Sequence, residues 1–234
     1  MTTRAGQPSA PRRRVVVAVL VAALLLLLGM MLALGALLSR IEPGRTLERI
    51  DGGAPHWLAA RRTGALDAVS AAVAELGNTG VVIVVAAVVG IVAVIVRRQW
   101  RPLVVLAVAL AGETAIFLTT SAVIDRPRPH VEHLDADLPP TSSFPSGHTA
   151  AAVCLYGTIA ALLLTSPRTR LRRTVVTLAV AVVVLVALAR LYRGAHYPTD
   201  VLGSLLFALP WVLVVVRLLA PPGQPRPGAP ANEP

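Results

Sequence analysis

Lysine is absent from this sequence, so the whole formal charge of +10 at pH 7 rests on arginine. Cysteine occurs once, at Cys154 inside an apolar run, which excludes a disulfide framework and argues against thiol chemistry. Only 15% of the residues are charged, where a soluble domain carries about a quarter. A nucleic-acid binder gathers its cations into a dense soluble patch. Here the arginines stand mostly at the ends of apolar runs, so topology is their first role, and no nucleic-acid partner is expected.

What the chain has in excess is apolar sequence, 55% hydrophobic with a mean hydropathy of +0.70. Runs of about 18 or more apolar residues are long enough to span a membrane as helices. Six such runs are legible: Val15 to Leu38, Thr79 to Val96, a third from Pro102 to Ile124, His148 to Thr165, Thr174 to Ala189, and Thr199 to Ala220. The first exceeds the ~7–15 apolar residues of a signal peptide and lacks a clear small-x-small cleavage site, so it reads as an uncleaved anchor. Residues 39–78 mix arginines, acids, glycine and proline with scattered apolar positions, which suggests one or two short amphipathic helices at the membrane surface.

The expected fold class is therefore all-α, an integral membrane bundle of six transmembrane helices. Arg12–Arg14, the group Arg97, Arg98 and Arg101, and the group Arg168, Arg170, Arg172 and Arg173 fall on one side if the spans alternate. The positive-inside rule makes that side cytoplasmic, together with both termini. This divides the chain into a cytoplasmic tail at 1–14, a membrane domain at 15–220 whose 39–78 segment is extracytoplasmic, and a disordered Pro-rich tail at 221–234.

That topology brings four polar clusters to the opposite face: "DRPRPH", "FPSGH", the "AR" at 189–190 and "YRGAHYPTD". Arg126, Arg128, Arg190 and Arg193 offer planar, multidentate donors suited to phosphate. Ser146 is a good N-cap, and Gly147 admits a ligand close to the backbone of a helix start, where an anion is favoured. His148 stands at that rim as a proton donor. Pro198 suits the first turn of the last helix, with Asp200 in the same turn. A carboxylate there can fix the tautomer of His196 and leave its other nitrogen free to attack phosphorus. His196 is then the candidate nucleophile, and His148 the acid for the leaving oxygen.

The ordered set "RPRP", "PSGH" and R-x5-H-x3-D resembles the type 2 phosphatidic-acid phosphatase family, which shares its site architecture with vanadium haloperoxidases. The resemblance spans roughly residues 79–220. It implies hydrolysis of a phosphomonoester or diphosphate through a phosphohistidine, without metal or other cofactor. By match, Arg128, Arg190, Ser146 and Gly147 bind phosphate, His148 is the general acid, His196 the nucleophile and Asp200 its partner. Arg126 and Arg193 are further phosphate-binding candidates. Two positions depart from the family pattern. Ser121 stands where a lysine is usual, seven residues before Arg128, and Ala189 replaces a serine. Arg126 or Arg193 could stand in for the missing cation.

A site at the membrane surface suits a substrate whose phosphate is polar and whose tail stays in lipid. The expected substrate is thus a lipid phosphate or polyprenyl diphosphate, with polyprenyl diphosphate first and phosphatidate or phosphatidylglycerophosphate next. The expected location is the inner membrane of a bacterium with a GC-rich genome, the site facing outward. The rival readings are a degenerate relative that binds or moves lipid phosphates, and a vanadate-dependent haloperoxidase. Two further features stay open. The loop "HVEHLDADLPP" holds His130, Glu132, His133, Asp135 and Asp137, but matches no closed zinc spacing. Glu113, in the middle of the third span, either pairs with an inward-facing arginine or stays protonated.

Overall fold

The computed structural model describes residues 10–40, 46–135, 138, 142–163 and 169–220. Within them every regular element is helical: α1 (Ala10–Leu38), α2 (Thr46–Ala59), α3 (Gly64–Glu75), α4 (Thr79–Arg97), α5 (Arg101–Val123), α6 (Gly147–Ala152), α7 (Thr158–Leu163), α8 (Thr169–Tyr192) and α9 (Pro198–Leu219). A π-helical stretch, Val153–Gly157, joins α6 to α7 into one apolar helix running Gly147–Leu163. The expected tails at 1–14 and 221–234 lie wholly or mostly outside the described residues, as does Asp137.

Five helices are long and apolar enough to cross a membrane: α1, α4, α5, α8 and α9. They coincide with five of the six expected runs. The remaining run is the shorter helix Gly147–Leu163. The mixed segment forms two short helices, α2 and α3, as its pattern suggested.

Local chemistry sets the boundaries. Asn78 caps α4, its Oδ1 accepting from Gly80 N–H at 2.9 Å, and Thr63 does the same for α3 through Leu66 N–H at 3.4 Å. Pro102 and Pro198 sit in the first turns of α5 and α9, where the missing N–H costs nothing.

α5 and α9 form the centre, and α1 packs against both. Their core joins Met31, Val105, Ala109, Ile116, Phe207, Trp211 and Val215. The Trp211 indole donates to the Ala109 carbonyl at 2.9 Å, directly over Gly112, where no side chain would fit. A second cluster packs Val82 and Ala86 of α4 on Leu106, Ala151 and Leu155. Large apolar side chains such as Ile91, Ile95, Leu178 and Leu188 point outward, as lipid-facing surfaces do. The chain is a multi-pass membrane protein.

The α2–α3 corner is fastened to the far end of α8. Arg62 donates from Nε and Nη2 to the Tyr192 carbonyl (3.2 and 3.0 Å) and from Nη1 to the Glu132 carbonyl (2.8 Å). Tyr192 in turn donates its hydroxyl to Asp67 at 2.7 Å.

Candidate active site

A cavity of about 670 Å³ opens where α5 and α8 end and α6 and α9 begin. Its wall includes Arg128, Gly147, His148, Arg190, Arg193 and His196, and it continues past Phe117, Leu118, Leu134 and Leu138 to Glu113. Residues spread over some 70 positions of sequence thus share one wall.

The turn after α8 aims His196. Gly194 adopts φ +77, and a Cβ there would meet Val131 at 2.7 Å, so both backbone and space call for glycine. Ala195 N–H closes the turn on the Arg190 carbonyl at 3.1 Å. The loop after α5 lies alongside, with Ser143 N–H donating to the Arg126 carbonyl at 2.9 Å. The Ser143 carbonyl then accepts from His196 Nδ1 at 2.6 Å. A carbonyl can only accept, so Nδ1 carries the proton and neutral His196 keeps its lone pair on Nε2. Burial pushes the His196 imidazole below its ordinary value; Asp200 opposes that shift, and Arg190 and Arg128 add to it.

The sequence suggests Asp200 as the carboxylate that accepts from one nitrogen of His196. Its Oδ2 stands 3.7 Å from His196 Nδ1 instead, because closer donors take its oxygens. Tyr197 N–H donates to Oδ2 at 2.8 Å, and Arg126 Nη1 binds Oδ1. Asp200 therefore acts on His196 as a nearby negative charge, and Ser143 supplies the hydrogen bond.

Arg190 and Arg128 both reach the cavity. Arg190 Nη1 donates to Asp135 at 2.8 Å, while its buried Nε finds no hydrogen-bond partner among the described residues. Arg128 Nη1 donates to the Ala195 carbonyl at 2.8 Å. The two guanidiniums repel, and burial followed by Arg190 lowers the pKa of Arg128. An anion between them would relieve both effects.

Two sequence-based expectations need correction. Arg126 does not line the cavity. Its guanidinium is taken by Asp51 and Asp200 on buried ground, and removing one partner from such a pair typically costs about 3–5 kcal/mol. Arg193 does line it, but its donors are spent on Asp135 (Nε, 2.5 Å), Leu134 O (Nη2, 2.8 Å), and Ser70 and Asp67 (Nη1, 3.2 and 3.3 Å). It ties α3, the loop and α8 together. Ser121 offers nothing in the lysine's place, since its hydroxyl donates to Leu118 O on its own helix at 3.2 Å.

Ser146 is fully buried, and its hydroxyl pairs with the Thr149 hydroxyl at 3.0 Å instead of capping a backbone N–H. It is absent from the cavity wall, whereas its neighbour Gly147 is present. A Cβ on Gly147 would meet the Phe117 ring at 2.9 Å, which also accounts for that glycine through packing. The His148 carbonyl lies 2.6 Å from where a Cβ on Gly77 would stand, so the chain after α3 comes this close to the His148 backbone only with glycine there. Glu113 accepts from Thr114 Oγ1 at 3.2 Å, and no arginine pairs with it among the described residues. Of the acidic loop, His133 Nε2 bonds the Pro129 carbonyl at 3.0 Å and Asp135 binds arginine.

Comparison with known proteins agrees with this geometry. Residues 100–222, more than half of the chain, match the PAP2 superfamily. The chain belongs to the PAP2 superfamily. It is similar to phosphatidylglycerophosphatase B of Bacillus subtilis (strain 168), with 29% identity over 141 residues, 59% of this chain and 68% of that protein. The crystal structure of the transmembrane PAP2 type phosphatidylglycerolphosphate phosphatase from Bacillus subtilis superposes with a TM-score of 0.69 at 24% identity, covering 83% of this chain and 93% of that one. Aquifex aeolicus LpxE gives a TM-score of 0.55 at 23% identity, over 76% and 98% of the two chains. As a PAP2 protein, the chain is a phosphatase of lipid phosphates.

Proposed function

We propose that this PAP2 phosphatase removes the phosphoryl group from a lipid phosphomonoester by forming a phosphohistidine on His196. The observation that carries the reading is the shared cavity wall of Arg128, Arg190, His148 and His196. The two arginines would bind the equatorial phosphoryl oxygens, whose charge is spread in the transition state. His196 Nε2 would attack phosphorus while the P–O bond to the lipid breaks, and His148 would give its proton to the departing lipid oxygen. Water would then attack phosphorus as the P–N bond to His196 breaks, returning a proton to His148 and releasing phosphate.

Six spans with both termini cytoplasmic suit the same reading. The helix Gly147–Leu163 comprises segments of 6, 5 and 6 residues, at the short end of the ~17–25 residues that span a membrane. Arginine placement would then put the cavity outside the cytoplasm in a bacterial inner membrane. The apolar wall at Phe117, Leu118 and Leu134 would receive the lipid stem. The kinship with a phosphatidylglycerophosphatase favours phosphatidylglycerophosphate as the head group, ahead of the polyprenyl diphosphate first expected from sequence.

The test is phosphate release by detergent-purified protein in excess EDTA, with phosphatidylglycerophosphate, phosphatidate and polyprenyl diphosphate compared. EDTA-resistant release, fastest from the first lipid and lost in His196→Ala, is the expected result. Release that survives His196→Ala would sink the mechanism.

A further inference from the structure

We infer that Asp51 is a positioning residue for the reaction at His196, acting through Arg126 and Asp200; the inference rests on the proposed role of His196 as nucleophile. Asp51 lies on α2, well before residue 100, where the family match begins. It is 4% exposed, Arg126 8% and Asp200 0%, so three charges are buried together. Arg126 Nη2 donates to Asp51 Oδ2 at 2.5 Å, and Nη1 binds Asp200 Oδ1. Thr199 completes the ring: its N–H donates to Asp51 Oδ1 at 3.0 Å, its hydroxyl donates to Asp51 Oδ2 at 2.6 Å, and it accepts from Arg126 Nη1 at 2.8 Å.

An arginine facing one carboxylate prefers a fork in which both oxygens are bound. Asp51 prevents that here. By holding Nη2, it leaves only Nη1 for Asp200, so Asp200 Oδ2 stays on the Tyr197 N–H, 3.7 Å from His196 Nδ1. Without Asp51, the guanidinium is drawn wholly onto Asp200. That turns the second oxygen from His196 and withdraws the negative charge favouring the imidazolium formed during turnover. Asp51 touches neither the cavity nor the reacting atoms, so it should act on kcat and leave substrate binding alone.

The test compares Asp51→Asn, Arg126→Gln and the double variant in full-length, detergent-purified protein, with melting curves confirming the folded fraction. Asp51→Asn should lower kcat about 10- to 100-fold, as small misplacements of a reacting group do, with KM within about twofold. The double variant should be no slower than Arg126→Gln alone, because the two residues act as one unit. If Asp51→Asn does not fold, the double variant, which leaves one buried carboxylate where Arg126→Gln leaves two, carries the comparison with Arg126→Gln. Unchanged kcat, an effect on KM alone, or a double variant about tenfold slower than Arg126→Gln overturns the inference. An active wild type with an unaffected Asp51→Asn removes Asp51 only. A wild type inert on every lipid phosphate removes the functional reading, and this inference with it.

Discussion

The Nδ1 of His196 lies 2.6 Å from the carbonyl oxygen of Ser143, so a backbone atom fixes the tautomer of the candidate nucleophile. A side-chain carboxylate usually holds that place, and its loss then costs both orientation and charge. Here the two duties are divided. Asp200→Asn should therefore lower kcat by about 10- to 100-fold and leave measurable turnover, whereas His196→Ala should reach background. Steady-state phosphate release checks this, and equal losses in the two variants would show that Ser143 does not hold the ring.

The acid limb of kcat/KM should fall below pH 6.5, the ordinary histidine value, because burial depresses His196. The sign follows from the charge. Neutral imidazole is the attacking form, and a depressed folded-state pKa keeps it neutral to lower pH. The linked stability is complete above the unfolded value and lost as pH falls from there through the folded value. A pH–rate series, with the substrate's own phosphate ionisation titrated separately, reads the limb. A limb above 6.5 would contradict the assignment.

Asp135 places a carboxylate on Arg190 at 2.8 Å, inside the same cavity wall. Substrate phosphate must share or displace it. Asp135→Asn should therefore tighten competitive inhibition by inorganic phosphate roughly fivefold, the scale of about 1 kcal/mol for a partly exposed pair. Weaker inhibition would mean that Asp135 orients the arginine for phosphate instead of competing with it.

Orientation is open to labelling, because the native Cys154 is fully buried and adds little background. In intact cells an impermeant maleimide should label Glu132→Cys beside the site and spare Arg170→Cys at the start of α8. The reverse pattern would turn the protein over.

The spans were legible because apolar length is a local property. His148, His196, Arg128 and Arg190 were legible because their motifs carry phosphate chemistry and an alternating topology would gather them, and all four line one cavity. What sequence hid was tertiary closure. Arg126 and Arg128 are the same residue two positions apart, yet one binds Asp51 and Asp200 while the other meets the cavity. The Ser143 carbonyl has no sequence signature at all. Asp135 read as one acid in a loop without zinc spacing, and Asp51 as one acid in a mixed amphipathic segment. Their roles depend on folding distant segments onto the "RPRP" and "YRGAHYPTD" stretches. The short helix Gly147–Leu163 carries a π-helical stretch that its apolar run gave no sign of.

The central claim is that phosphorus passes through His196. Rapid mixing with a lipid phosphate, quenching in alkali and peptide mass spectrometry would test it most directly, since phosphohistidine survives base and is lost in acid. The expected result is a transient phosphoryl group on the peptide carrying His196, absent from His196→Ala. A phosphoryl group on any other residue, or turnover in which none forms on His196, would contradict it.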